Sequence, residues 1–208
     1  MTKSGNKQFR AFDRLTSTAI AIDQPNVDTD QIIPARYLAL PREQQVPHLF
    51  HDLRYRDDHA PREGFPLNAP TAAGAEILIA EHNFGCGSSR EHAVSVLVDN
   101  GFRVFIAPSF GDIFHNNCFQ NGALPIRLPA ARVREMLDHV AKRPDARITV
   151  DLEAQTVTGP DNWTQSFEID SFRKQCLLQG TDDISLTLTY ADAIAAHERR
   201  AAAEADWL

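Results

Sequence analysis

Cysteine is scarce in this 208-residue chain: Cys86, Cys118 and Cys176 are the only three, and no two form a C-x-x-C pair. That argues against a disulfide framework and against a zinc ribbon. It argues equally against a self-contained iron–sulfur cluster, which takes closely spaced thiolates. Positive charge is not in excess. Lys and Arg number 21 against 28 Asp and Glu, a net charge of −7, which speaks against non-specific binding to nucleic acid or to an anionic membrane. No apolar run approaches the ~18–20 residues needed to cross a bilayer. The opening MTKSGNKQFRAF has no apolar signal core and no small-residue cleavage pattern, so the cytoplasm is the expected location. Internal repeats and low-complexity linkers are also absent. What remains is a globular composition, 43% hydrophobic and 24% charged, with enough chain to bury about two-thirds or more of its unfolded surface.

The organisation follows from local patterns. Leu15–Ile22 reads as one short strand, ended by Asp23-Gln24-Pro25-Asn26. Asn26 to Leu38 carries Asp28, Asp30 and Pro34, which predicts a structured loop or a single turn. Residues 41–76 are rich in Pro, His, Arg and Asp and read as a long irregular excursion, a kind of segment that is often functional or partner-facing. Glu76–Ala80 is a buried strand, Arg90–Asn100 a helix stopped by Asn100-Gly101, and Val104–Ala107 a second buried strand. Together they make a central βαβ unit with parallel pairing. A short helix over Asp112–Phe119, a strand over Leu124–Leu128 and an amphipathic helix over Ala130–Lys142 follow. Further on, Ile148–Thr158 and Trp163–Ile169 alternate around Gly159-Pro160-Asp161-Asn162, a β-hairpin pattern. Asp170 is placed to cap a helix that Gly180 ends, and a last helix is expected at about 191–204. The sum is one α/β domain with mixed strand pairing.

The densest chemistry is Asn83-Phe84-Gly85-Cys86-Gly87-Ser88-Ser89-Arg90-Glu91-His92, between a strand and a helix. Glycines there permit positive φ, and the helix start presents free N–H groups and the positive end of its dipole. Ser88-x-x-Glu91 also reads as a capping box, which needs one hydroxyl and no arginine. The loop holds two hydroxyls and Arg90, a fork suited to a carboxylate. A dinucleotide fingerprint fits poorly: Arg90 stands where a third glycine is required, and Pro108-Ser109-Phe110 offers no acid after the next strand. No Gly-Lys-Ser/Thr follows for a mononucleotide, and no G-x-S-x-G supports a hydrolase serine. Cys86 is either a small loop filler or a thiol activated by the helix start. His48-x-x-His51, His82 and His92 lack clear ligand partners, so no metal ligand is assigned to this chain.

Several separate runs, in order, resemble one family. They are Asp28-Thr29-Asp30-Gln31-Ile32-Ile33-Pro34, the glycine loop through Ala93, Phe105-Ile106-Ala107-Pro108-Ser109-Phe110 with Asp112-Ile113-Phe114, and Asn117-x-Phe119-x-Asn121-Gly122-x-Leu124-Pro125. Asp151-Leu152-Glu153-Ala154-Gln155 and Ser185-Leu186-Thr187-Leu188-Thr189 extend the likeness. The chain resembles the swivelling domain of the aconitase superfamily, in the form of the free-standing small subunits of bacterial 3-isopropylmalate dehydratases. The resemblance implies a three-layer β/β/α swivelling fold over residues 1–208, with a mixed sheet around the βαβ unit. It implies a heterodimer with a large subunit that carries a [4Fe–4S] cluster, this chain binding no cofactor of its own. The implied reaction is a hydro-lyase isomerisation of a small dicarboxylate. Carried over residue by residue, Ser88 is the catalytic base, Ser89 and Arg90 contact substrate carboxylate, and Arg36 is a further substrate contact. Tyr37-Leu38-Ala39-Leu40 falls where the family tunes the side-chain pocket. Homoaconitate and 2-methylmalate are the alternative substrates, and a non-catalytic anion-binding module is the alternative of another class.

Overall fold

The computed structural model describes residues 9–188 and 190–204. The chain begins with β1 (Arg14–Ser17), β2 (Ala19–Ile22), α1 (Thr29–Ile32), α2 (Arg42–Gln45) and α3 (His51–Arg54). The middle holds β3 (Ile77–Ala80), α4 (Glu91–Asp99), β4 (Val104–Ala107), α5 (Asp112–Gln120), β5 (Leu124–Arg127) and α6 (Ala130–Lys142). Then come β6 (Ile148–Asp151), β7 (Thr156–Thr158), β8 (Thr164–Ser166), α7 (Ser171–Gln179), α8 (Asp183–Leu188) and α9 (Ala191–Glu204). Short 3-10 turns at Ala35–Tyr37, Val46–His48, Pro66–Asn68 and Pro70–Ala72 lie between α1 and β3.

The strands form two four-stranded sheets, one antiparallel in the order β1-β6-β7-β8 and one parallel in the order β2-β3-β4-β5. The mixing expected of the strand pairing is therefore between sheets and not within one. It also divides the strand read over Leu15–Ile22: the chain changes sheets at Thr18. Ser17, buried at the break, accepts the Glu76 N–H on its side-chain oxygen at 3.0 Å, so a backbone donor is satisfied where the ladder stops.

Alternation along the parallel strands decides the layers. Ile20 stands opposite Leu78 and Leu78 opposite Phe105; that row packs with α4, α5 and the buried Leu49 and Phe50. The neighbouring row, Ile77, Val104 and Leu124, packs with α6 and with Ile148, Val150 and Val157 of the antiparallel sheet. A period of two puts the rows on opposite faces. With a sequential strand order, crossovers of a single hand put every connection on one face, where α4 and α5 are found. The layers are helices, parallel sheet, and antiparallel sheet with α6.

Three further differences from the sequence reading have local causes. Residues 41–76 are built of short helices and turns in place of an irregular loop, because Leu49 and Phe50 are fully buried and the Phe50 N–H donates to the Ile32 carbonyl at 2.8 Å. Ile148–Thr158 is two strands, split where Asp151 Oδ1 accepts the Ala154 N–H at 2.8 Å and Gln155 turns to φ 54°. The hairpin becomes a three-stranded meander. The third difference, at the start of α4, belongs to the site. Two helices form as their patterns predict: α6 buries Val133, Met136, Leu137 and Val140, and α7 starts with Asp170 accepting from Phe172 and Arg173 at 3.1 Å.

Candidate active site

The loops that leave the carboxyl ends of β2, β3 and β4 meet. The Gly85 N–H donates to the Val27 carbonyl at 2.7 Å, and the Thr29 N–H to the Cys86 carbonyl at 3.0 Å. The Phe84 N–H donates to the Ser109 carbonyl at 3.1 Å, and the Gly111 N–H to the Phe84 carbonyl at 3.0 Å. These bonds extend parallel pairing beyond the strands, at Asp28 with Cys86 and at Phe84 with Phe110. Below them Phe114 is buried against Phe84, Phe105 and Phe110, with ring centroids at 5.3, 5.8 and 6.2 Å. Gly85, at φ +71°, lies on that aromatic base so closely that a Cβ would stand 2.2 Å from Phe114 Cγ.

The loop tip rises from this floor. Gly87 takes φ +92°, and Gly87, Ser88 and Ser89 are exposed. The Arg90 N–H donates to the Ser88 carbonyl at 2.8 Å, a tight reversal that holds Ser88 outside the helix. That corrects the capping reading: α4 begins at Glu91, Arg90 is the N-cap, and no side-chain hydrogen bond caps it. Ser88 is left for another use, and the positive end of the α4 dipole faces the loop. A capping box does exist nearby, on the preceding motif. Asp28 Oδ1 accepts the Gln31 N–H at 2.7 Å, and Gln31 Oε1 accepts the Asp28 N–H at 3.0 Å.

The α1 turn so fixed presents two partners to the loop. Thr29, buried, sets its hydroxyl 3.2 Å from both the Ser88 hydroxyl and the Ser88 carbonyl. Asp30 pairs with Arg90 through Nη1, leaving the other guanidinium donors of Arg90 for a second carboxylate. Thr29 and Asp30 belong to a motif visible in the sequence, yet local sequence gives them no role. Their partners lie about sixty residues downstream, and only the parallel pairing of β2 with β3 brings them close.

The other site candidates are distributed differently. Ser89 is exposed beside Ser88. Arg36 is not joined to the glycine loop by any hydrogen bond or ion pair among the described residues. Its partners include Asp52, His51 and Tyr37, and it lines a cavity of about 420 Å³ with Tyr37, Tyr55 and His59. Leu38 and Leu40 line a separate cavity of about 280 Å³ that reaches Glu91 and His92, next to Arg90. A cavity of about 860 Å³ shares no residue with the loop; it lies among His115, Arg127, Phe167 and Arg173. Burial, with Asp28 adding to it, pushes the Cys86 thiol up in pKa, and its Sγ donates to the Asn26 carbonyl at 3.5 Å. That is the direction of a loop filler and opposes an activated thiolate. Among the described residues no group of three or more His, Cys, Asp or Glu is arranged to hold a metal ion, and no helix is long and apolar enough to cross a membrane.

The match to known proteins follows this geometry. Residues 10–131, which contain the parallel sheet and the loop, match the aconitase C-terminal domain, and residues 183–208 match the C-terminal domain of the 3-isopropylmalate dehydratase small subunit. The chain is 49% identical over 198 residues to a 3-isopropylmalate dehydratase small subunit of Paramagnetospirillum magneticum, covering 95% of this chain and 98% of that one. It is 48% identical over 203 residues to the protein of the same name from Leptospira interrogans, covering 96% and 98% of the two chains. A crystal structure of a 3-isopropylmalate dehydratase from Methanocaldococcus jannaschii shares the fold, with a TM-score of 0.65 at 24% identity, covering 89% of this chain and 99% of that one. The chain belongs to the family of 3-isopropylmalate dehydratase small subunits, on the swivelling fold of the aconitase superfamily.

Proposed function

We propose that this chain is the base-bearing half of a 3-isopropylmalate dehydratase, working in the cytoplasm as a heterodimer with a large subunit. The reaction converts 2-isopropylmalate to 3-isopropylmalate through 2-isopropylmaleate, a step of leucine biosynthesis. Ser88 Oγ takes the C3 proton as the C2 hydroxyl departs. The same oxygen returns a proton to C2 as hydroxyl adds at C3, so one water is lost and one regained. Ser89, Arg90 and Arg36 bind the substrate carboxylates. On the family resemblance the [4Fe–4S] cluster belongs to the large subunit, where it would supply Lewis acidity toward the hydroxyl.

One observation carries this reading: an exposed Ser88 held above a packed aromatic floor, with the Thr29 hydroxyl, Arg90 and the start of α4 around it. Proton abstraction α to a carboxylate demands alkoxide character, and fixed donors with positive potential are what favour it. Leu38 and Leu40 give an isopropyl group an apolar side to the cavity that they line with Arg42, Gln45, Glu91, His92 and Ser95. In the reconstituted complex, Ser88→Ala is expected to lower kcat by about 10²–10⁴-fold, the range of a lost general base. Full turnover by that variant would reduce the chain to an anion-binding module. A substrate panel that ranked homoaconitate or 2-methylmalate above 2-isopropylmalate would reassign the pocket.

A further inference from the structure

The cavity of about 280 Å³ next to Arg90 is lined by two segments. Glu91, His92 and Ser95 of α4 form one side, and Leu38, Leu40 and Gln45 belong to the other. That second side is a run of turns: the Leu38 N–H donates to the Ala35 carbonyl at 3.1 Å, and the Leu40 N–H to the Tyr37 carbonyl at 3.1 Å. The helix α2 follows at once and is tied to the last residue of α4. Its Arg42 donates from Nε and Nη2 to the two carboxylate oxygens of Asp99, at 2.6 and 2.8 Å. From the end of α2, Gln45 reaches back, and its Nε2 donates to the Leu40 carbonyl at 2.9 Å. That bond joins the anchored α2 directly to the turn that carries Leu38 and Leu40.

Gln45 is only 3% exposed, yet its amide is half provided for. An amide carries two donors and an acceptor oxygen with two lone pairs. Here Oε1 is buried and meets no donor among the described residues. An unmet buried acceptor works against stability, and an apolar side chain of similar volume would not carry that cost. Gln45 is therefore a poor core filler and a good strut, since its one directional bond fixes where the Leu40 carbonyl stands. We propose that Gln45 is a positioning residue for specificity, holding Leu38 and Leu40 at the depth that admits an isopropyl group. The proposal rests on the reading that this cavity takes the substrate side chain.

The test uses the complex with the large subunit and the variants Gln45→Met, Leu40→Ala and Leu40→Ala/Gln45→Met. The readout is the ratio of kcat/KM for 2-isopropylmalate to that for 2-methylmalate, whose alkyl group is smaller. Gln45→Met keeps the volume and removes the donor. The ratio is expected to fall about tenfold, the low end of what one methylene is worth in an apolar pocket, with turnover of 2-methylmalate changed less than about threefold. A fault of folding lowers both substrates alike and leaves the ratio as it was; that result overturns the proposal. Leu40→Ala is expected to lower the ratio as well. In its background Gln45→Met is expected to add less than about threefold, since the two act through one wall; a full further tenfold overturns the proposal. If Leu40→Ala leaves the ratio unchanged, the pocket reading fails and the proposal falls with it. If Leu40→Ala lowers the ratio and Gln45→Met does not, only the role of Gln45 is lost. The ratio does not depend on which group is the base, so the reading of Ser88 stands or falls separately. Should Gln45→Met not fold, Gln45→Glu, which keeps the shape without the donor, is compared in the same way.

Discussion

Gly85→Ala is expected to be among the most damaging one-carbon changes in this protein. Gly85 stands at φ +71°, and an added Cβ would meet Phe114 Cγ at 2.2 Å, Cδ2 at 2.4 Å and Cβ at 2.8 Å. Left-handed backbone costs a non-glycine residue about 1–2 kcal/mol. Overpacking of a filled core adds about 1–3 kcal/mol. The ring has no room to retreat, because Phe84, Phe105 and Phe110 surround it. Nor can the backbone lift freely, since the Gly85 N–H is bonded to Val27 at 2.7 Å and Gly111 lies against the Gly85 carbonyl. The sum is about 2–5 kcal/mol, or roughly 4–20 °C in Tm for a chain of this size. Denaturant unfolding of the chain measures it, and the midpoint is expected to fall without a change of slope. Phe114→Ala alone is expected to cost about 3–5 kcal/mol. The double variant should cost less than the sum by about 1–3 kcal/mol, the part due to overlap. Strict additivity would refute the steric account and leave only the backbone term. An unchanged midpoint in Gly85→Ala would refute both. Turnover of the complex is expected to drop about 10²-fold as well, because Ser88 rides three residues beyond the displaced backbone.

Two further predictions concern single side chains. Thr29→Val keeps the buried shape and removes the hydroxyl that meets Ser88 at 3.2 Å; kcat of the complex is expected to fall about tenfold with KM steady, and an unchanged kcat would remove Thr29 from the site. His115, flanked by Phe110 and Phe119, has its pKa lowered from 6.5 to about 4, first by burial and then by Arg127, against a smaller opposing effect of Asp112. A lowered folded pKa means that the unfolded chain binds the proton first as pH falls, so His115 support is complete above about 6.5 and is lost progressively down to about 4. In His115→Gln the stability–pH curve, followed by urea midpoints, is expected to be flatter across that window; a curve as steep as that of the native chain would sink the assignment.

Much of the fold was legible because single residues carry the pattern. Ile77-Leu78-Ile79-Ala80 and Val104-Phe105-Ile106-Ala107 are buried on both faces, as parallel strands covered on both sides must be. Asp170 and Gly180 bracket α7 as their chemistry predicts. The misreadings share a cause, which is competition between local signals. Ser88-x-x-Glu91 has capping spelling, but Gly87 turns the chain so that Arg90 meets the Ser88 carbonyl first. Leu15–Ile22 is uniformly strand-like, and only the distant Glu76 N–H marks where it changes sheets. Thr29 and Arg36 depend on partners that no local window contains: Ser88 in one case, Asp52 in the other.

The exposure of the loop bears on how the chain works. Ser88 and Ser89 stand exposed at the tip of a loop whose base is tied by backbone hydrogen bonds. Donors and dipoles gain their strength where water is excluded, and a hydroxyl surrounded by bulk water does not become a base for a C–H proton. The positive elements are nevertheless in place: the uncapped start of α4, Arg90 and the Thr29 hydroxyl. Residues 41–76 bury Leu49 and Phe50 in the core beside Ile32, and their arginine-rich pocket opens around Asp52 and Tyr55. On the proposed reading, the cover for Ser88 comes from the large subunit. On the proposed reading, docking of the large subunit does two things at once: it brings the electrophile, and by expelling water it turns a preorganised but inert serine into a base.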